Sequence, residues 1–258
     1  MPIEKTDAII LKSFKYGDTS KIARCYTRDF GKISIIGKGI RKGKALRSAY
    51  FDPLSYLSLL FYYNPKRELQ IFSKAEFKGI WHSLRRDVKK LSYGFAVLEL
   101  VDRSVTGEEP HEELYQLLLD ILQYINDSNG RINKVFWFFE IHLLSLLGFR
   151  PRLSDCPHCH NELTEGQFSG EYGELLCNDC YDKNIKRSHF IVKDSAVSHR
   201  AIGLLKKLKR GNIKDLEEIK LQPGDRKQVG RFLNNYLKFH LEGIRDLKSL
   251  QVLEQIIS

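Results

Sequence analysis

Gly31-Lys32-Ile33-Ser34-Ile35-Ile36-Gly37-Lys38-Gly39-Ile40-Arg41-Lys42-Gly43 joins a strand-like run to a cationic glycine loop. Its first half, residues 32–36, is a β-branched run that suits a pleated, half-buried surface. Its second half gathers three glycines and three cations, turn chemistry on which a strand must end. A lone strand is not stable, so partners are sought on either side. Upstream, residues 6–14 and 20–27 read as strands, and downstream residues 56–63 and 68–72 do the same. They are separated by Tyr16-Gly17-Asp18, Asp29-Phe30-Gly31, the glycine loop itself and Asn64-Pro65-Lys66. Five short strands in so few residues predict closure into a barrel of the OB type, because closure removes the edges an open sheet would expose.

Beyond Gly79 the apolar period changes from two to about 3.6. Leu84, Val88, Leu91, Phe95, Leu98 and Val101 mark the stripe of one long helix ending near Thr106-Gly107. A second carries Leu114, Leu117, Leu118, Ile121, Leu122 and Ile125, and stops at Asp127-Ser128-Asn129-Gly130. A third, over 132–147, is apolar almost all round, as the central helix of a bundle would be. Residues 152–190 break every periodic pattern, hold four of the 5 cysteines and read as a loop-rich insertion. The helical period returns over 201–209, 226–241 and 248–256. The expected organisation is α+β: a barrel domain over 1–79, then a helical domain over 80–258 with a metal-binding insertion at 152–190.

The 258 residues amount to one or two domains and need no disulfides to support a core. With 42% hydrophobic and 29% charged residues the chain is not disordered. No apolar run reaches a membrane span, and Glu4 and Asp7 stand where a signal peptide would carry bases. A cytoplasmic protein, associated with nucleoid DNA and without membrane contact, is expected. The net charge of +10 is regional: residues 1–80 carry 16 basic against 7 acidic side chains. Such concentration in one module points to a polyanion, most often nucleic acid.

Cys156-Pro157-His158-Cys159 and Cys177-Asn178-Asp179-Cys180 are two C-x2-C knuckles, 17 residues apart. Each lets two thiolates converge from one tight turn, and together they supply the four soft ligands of tetrahedral Zn2+. Four protein ligands leave no open coordination position, so Cys156, Cys159, Cys177 and Cys180 read as one structural zinc site rather than a catalytic one. The rivals are covalent haem at the literal C-x-x-C-H of residues 156–160 and a redox pair. Both leave the second knuckle unexplained. His158 and His160 are expected to face solvent, and Cys25 to be a small core residue.

The glycine loop continues as Lys44-Ala45-Leu46-Arg47, with no acid between Gly31 and Phe51. Glycines let backbone amides approach phosphate oxygens, while Lys38, Arg41, Lys42, Lys44 and Arg47 replace condensed counterions; the bland alternative is a flexible, solvated hairpin loop. It follows neither nucleotide-binding glycine pattern. Phe14, Tyr16, Tyr26, Tyr62 and Tyr63 are candidate platforms on which bases stack. Arg85, Arg86, Lys89 and Lys90, and the cluster Lys206-Lys207 with Lys209-Arg210, are helix-borne candidates for extending the path. No catalytic residues are assigned. His111-Glu112-Glu113-Leu114-Tyr115 has tyrosine where a metalloprotease helix needs its second histidine.

Taken together, Asp29-Phe30-Gly31-Lys32-Ile33, Gly37-Lys38-Gly39-Ile40-Arg41-Lys42, Phe51-Asp52-Pro53-Leu54, Leu146-Leu147-Gly148-Phe149-Arg150-Pro151 and the closing Tyr236-Leu237-Lys238-Phe239-His240-Leu241 resemble the RecO family of bacterial recombination mediators over nearly the whole chain. Ile40 stands where the family commonly has alanine, and some members lack the cysteines. The resemblance implies an OB-fold, a helical domain carrying zinc, binding of single- and double-stranded DNA, and annealing of complementary strands. It further implies cooperation with RecR in loading the RecA filament onto DNA coated by single-strand binding protein, whose acidic C-terminal tail would dock on the helical part. Two other functions compete: a nucleic-acid-processing enzyme with a structural zinc, which a carboxylate cluster would favour, and a structural adaptor.

Overall fold

The computed structural model describes residues 1–42, 45–128, 132–185, 192, 195–244 and 249. The five expected strands are there: β1 (Ile3–Tyr16), β2 (Ser20–Thr27), β3 (Gly31–Gly37), β4 (Tyr56–Tyr62) and β5 (Leu69–Gly79). They close into a barrel in the order β1-β2-β3-β5-β4, with β4 pairing back to β1. The one parallel seam joins β3 to β5. Inside lie Ala8, Ile10, Ala23, Cys25, Ile33, Ile35, Leu57, Leu59, Phe61 and Ala75. Burial pushes the Cys25 thiol up to about 12, so it is the inert core residue expected. Strand β5 runs well past the expected end at Phe72. Its second half, with Lys74, Glu76 and Lys78 exposed and Ala75 and Phe77 turned to the core, reads as polar although it alternates like any half-buried strand.

Helices cover part of the barrel's outer face. The single long helix expected after Gly79 is two, α2 (His82–Arg86) and α3 (Val88–Ser104), behind the short α1 (Ala45–Ala49). The break falls at Asp87, whose carboxylate accepts the Lys90 N–H at 2.9 Å and so caps α3. A stripe counted from Leu84 is therefore only partly in phase beyond the break: Leu98 and Val101 are buried as expected, but Val88 and Phe95 are 68% and 40% exposed, and Tyr93, Ala96, Val97 and Leu100 complete the buried face. Helix α4 (Glu112–Asp127) buries the expected leucines and isoleucines, with Leu117 only half-buried.

Salt links tie α3 to the barrel. Arg24 meets Asp102 at 3.2 Å, and Lys32 Nζ donates to the carbonyls of Asp102 (2.8 Å) and Val105 at the end of α3. Gly31 lies just before this contact, with φ +58, and a Cβ there would sit 2.5 Å from the Glu109 carbonyl oxygen. Gly31→Ala combines left-handed strain with overpacking and is expected to destabilise by about 2–4 kcal/mol in urea unfolding.

The barrel with α2 to α4 forms one compact unit, up to Ser128, and residues 129–245 a second. The change of apolar period at Gly79 and this division fall at different places. In the second unit α5 (Ile132–Leu146) is buried on nearly every side and packs against α7 (His199–Arg210), α8 (Asp225–His240) and a 3-10 helix, Ile213–Glu218. It is the central helix its composition predicts. Residues 152–190 are not merely loops. They contain β6 (Gly166–Ser169), β7 (Glu174–Leu176) and α6 (Asn178–Ile185), and with β8 (Ala196–Val197) the strands form a sheet in the order β7-β6-β8. Strands of two to four residues are too short to express a period. The helix expected over 248–256 lies outside the described residues apart from Ser249. No helix among the described residues is long and apolar enough to cross a membrane.

Candidate metal centre and nucleic-acid interface

The first cysteine knuckle is a tight loop closed by backbone bonds: Cys156 N–H donates to the Asn161 carbonyl (2.8 Å) and His160 N–H to the Cys156 carbonyl (2.9 Å). The second follows from β7, with Cys177 at its exit and Cys180 in the first turn of α6. Strands β6 and β7 approach so closely that a Cβ on Gly166 would lie 2.2 Å from the Leu176 carbonyl oxygen. Sequence spacing thus becomes geometry: all four Sγ atoms lie within 4.8 Å of one another, and those of Cys159 and Cys177 are 3.7 Å apart. A tetrahedron with Zn–S bonds of about 2.3 Å has edges of about 3.8 Å, so the quartet fits zinc.

The protonation chemistry agrees. Burial raises the Cys156 thiol, but hydrogen bonds from the backbone of Cys159, Cys177 and His158 outweigh it and bring the group to about 7. Cys180 is pushed up to about 12, by burial first and then by the neighbouring sulfurs. Four thiols so close cannot all ionise without a cation among them. Both histidines stand outside the quartet and are exposed, as expected; His160 Nδ1 lies 3.3 Å from the Arg152 guanidinium and His158 packs edge-on to Tyr172. The subsite also has an apolar tie: Phe168 of β6 packs against Phe232 and Tyr236 of α8, with ring centroids 6.1 and 6.3 Å apart.

On the barrel, the glycine loop is pinned rather than loose. Ile40 is buried in the barrel core. The Arg41 N–H donates to the Thr19 carbonyl (2.9 Å), and Arg41 Nη1 to the Gly17 carbonyl (3.2 Å). The loop is thereby laid against the tip of the β1–β2 hairpin with Lys38, Arg41 and Lys42 exposed. Arg47 is exposed on α1, and Lys44 lies outside the described residues.

The helix-borne cluster divides. Arg86 and Lys89 are exposed, and Arg85 is exposed but donates to the Pro53 carbonyl at 3.1 Å. Lys90 does not belong to the surface: it is 7% exposed, and its ammonium donates to Ser83 Oγ (2.7 Å) and to the Asn126 carbonyl (2.8 Å) at the end of α4. The aromatic candidates divide too. Phe14, Tyr16 and Tyr62 are exposed, whereas Tyr26 is wholly buried, with His111 beside it at the start of α4. Tyr63 packs on Phe30 and Phe61, with centroids 5.0 and 6.1 Å away. Tyr26 therefore has no exposed face for a base, and Tyr63 is half-covered by its neighbours.

In the second unit a groove of ≈ 630 Å³ has an apolar wall of Leu204 and Ile219, with the cations Arg200, Lys206, Lys207, Arg210 and Lys220 around it and two acids, Asp215 and Glu218, on the side of the 3-10 helix. Lys209 is not among these cations, since its ammonium donates to the Pro151 carbonyl at 2.6 Å. Sequence reading found Lys206, Lys207 and Arg210; it missed Arg200, which stands seven residues before Lys207 on the same helix, and Lys220, which no local spacing connects to them.

Two family models match this chain: Recombination protein O N terminal over residues 1–81 and Recombination protein O C terminal over residues 85–251. Similar proteins include the DNA repair protein RecO of Alkaliphilus metalliredigens, 28% identical over 98% of this chain and 99% of that protein. The DNA repair protein RecO of Salinibacter ruber is 25% identical over 98% of this chain and 94% of its own length.

Proposed function

Because the chain belongs to the RecO family of DNA repair proteins, we propose that it is a non-enzymatic recombination mediator: it binds single- and double-stranded DNA, anneals complementary strands and, with RecR, helps load RecA onto DNA coated by single-strand binding protein. The observation that carries the DNA-binding part is the exposed cationic loop, Lys38, Arg41 and Lys42, fixed against the hairpin of an OB-type barrel. Positive groups on a preset surface neutralise phosphates without reading bases, which suits a protein that must act on any sequence. Two phosphate backbones repel each other, and a cationic surface that attracts both raises their encounter rate. Arg86 and Lys89 are further contacts for the second strand.

The acidic tail of single-strand binding protein would dock in the groove beside α7, where Leu204 and Ile219 suit an apolar end and Lys206, Lys207 and Lys220 its acids. Zinc, held by Cys156, Cys159, Cys177 and Cys180, would fasten the loop of the first knuckle to the turn between β7 and α6. With all four positions taken by thiolates its contribution is to folding. The enzyme alternative needs clustered carboxylates, and among the described residues the one group of three or more potential metal ligands is the cysteine quartet.

Annealing of complementary oligonucleotides coated with single-strand binding protein tests the reading. Acceleration without ATP is expected, declining as salt rises and screens the phosphates. No acceleration at low salt, or a strict need for ATP, contradicts it.

A further inference from the structure

The loop's cations explain attraction to any nucleic acid, but not how unpaired strands are told from duplex. We infer that Phe14 and Tyr16, on the outer face of the β1–β2 hairpin, are stacking platforms for unpaired bases and give this end of the barrel its preference for single strands. The inference rests on the DNA-binding reading above.

The strand register puts these rings together. A bulge between Ile10 and Lys12 shifts the pairing of β1 with β2, so that Lys12, Phe14 and Tyr16 share one face opposite Arg24, Ile22 and Ser20. Before the bulge Ile9, Ile10 and Leu11 are buried; after it Phe14 is 39% and Tyr16 55% exposed. Phe14 is nevertheless held in place: Lys12 Nζ lies 5.0 Å and the Arg24 guanidinium carbon 5.5 Å from its centroid, and Arg24 is itself tied to Asp102. A ring already fixed by neighbours loses little freedom when a base stacks on it.

Charge complementarity selects the occupant. Arg41 is bonded to the hairpin tip at Gly17 and Thr19, which sets the loop's cations beside Tyr16, and Asp18 is the lone acid at that tip. Rings flanked by phosphate-binding cations match a strand whose bases are exposed, since stacking on aromatics accepts every base. In a duplex the base faces are covered, so a duplex meets only the cations.

The test is anisotropy titration of a single-stranded oligonucleotide and of the duplex of the same length, across salt, using the full chain. Phe14→Ala with Tyr16→Ala should weaken single-strand binding about tenfold, leave duplex binding within about twofold, and leave both salt slopes unchanged. Phe14→Trp with Tyr16→Phe should keep single-strand affinity, and the unchanged duplex binding of the alanine variant excludes a fold defect. Equal loss on both DNAs, or no loss on the single strand, overturns the platforms. Lys38→Ala, Arg41→Ala and Lys42→Ala together separate the two readings: if they flatten the salt slope while the ring variant changes nothing, DNA binding stands and the platforms fall, and if neither variant matters both fall.

Discussion

Cys177→Ser is expected to strip zinc from the protein and to lower its thermal midpoint by about 10–20 °C. Metal binding free energy acts as folding free energy wherever the site does not exist in the unfolded chain. Cys177 is the hinge of the quartet: it leaves β7, lies 3.7 Å from Cys159 in sulfur distance, and its carbonyl accepts the Tyr181 N–H (2.9 Å) in the first turn of α6. Loss of a metal falls among the few substitution classes that cost about 4 kcal/mol or more. In a domain of roughly 100 residues each kcal/mol is worth several degrees. Calorimetry beside atomic emission checks this, with one zinc per chain expected before substitution and far less after. DNA affinity at low temperature should stay within about twofold, because the cysteines lie in the second compact unit and the cationic loop in the first. Iron in place of zinc, or an unchanged melting curve, would contradict a structural zinc.

The sequence made some of this legible and concealed the rest for identifiable reasons. Residues 32–36 and 20–27 announced themselves as strands because small or apolar core residues, Ile33 and Ile35, Ala23 and Cys25, alternate with the polar Lys32, Ser34 and Arg24. The second half of β5 hid because Lys74, Glu76 and Lys78 dominate its composition while only Ala75 and Phe77 turn inward. The single long helix broke at Asp87, and with it the placing of Val88 and Phe95, because a capping residue looks like any surface acid until its carboxylate meets the Lys90 N–H. Cysteine spacing forecast the quartet, since ligand geometry is short-range and tolerates little variation. Lys90 was misread because charge in a sequence carries no record of burial: an ammonium that closes the end of α4 looks the same as one facing solvent. Tyr26 failed for a related reason. A strand's outer face is exposed only where no helix covers it, and coverage is a tertiary fact. The groove beside α7 was legible only as the cations of one helix, since Ile219 and Lys220 join them only once the chain has turned back through the 3-10 helix.

Replacing Lys38, Arg41, Lys42 and Lys44 together by alanine should weaken single-stranded DNA binding on the order of 100-fold at about 0.1 M salt and flatten its salt dependence. Each neutralised phosphate on a single strand adds a slope of about −0.7 to the plot of log affinity against log salt, so four lost contacts reduce it by up to about 3. The scaffold should survive. Ile40, which anchors the loop in the barrel core, is untouched, and the Arg41 backbone bond to Thr19 does not depend on the side chain. Sequence preference should not change, because contacts to phosphate position a strand without reading it. The double substitution of Arg86 and Lys89, if those residues meet a second strand, should slow annealing more than it weakens binding of the first. Charge reversal of the loop to glutamate should deepen the loss beyond that of alanine, as repulsion replaces mere absence of attraction. A quadruple variant with unaltered affinity and slope would make the loop a solvated hairpin and move the DNA path to the other cationic surfaces, Arg85 with Arg86 and Lys89 first among them.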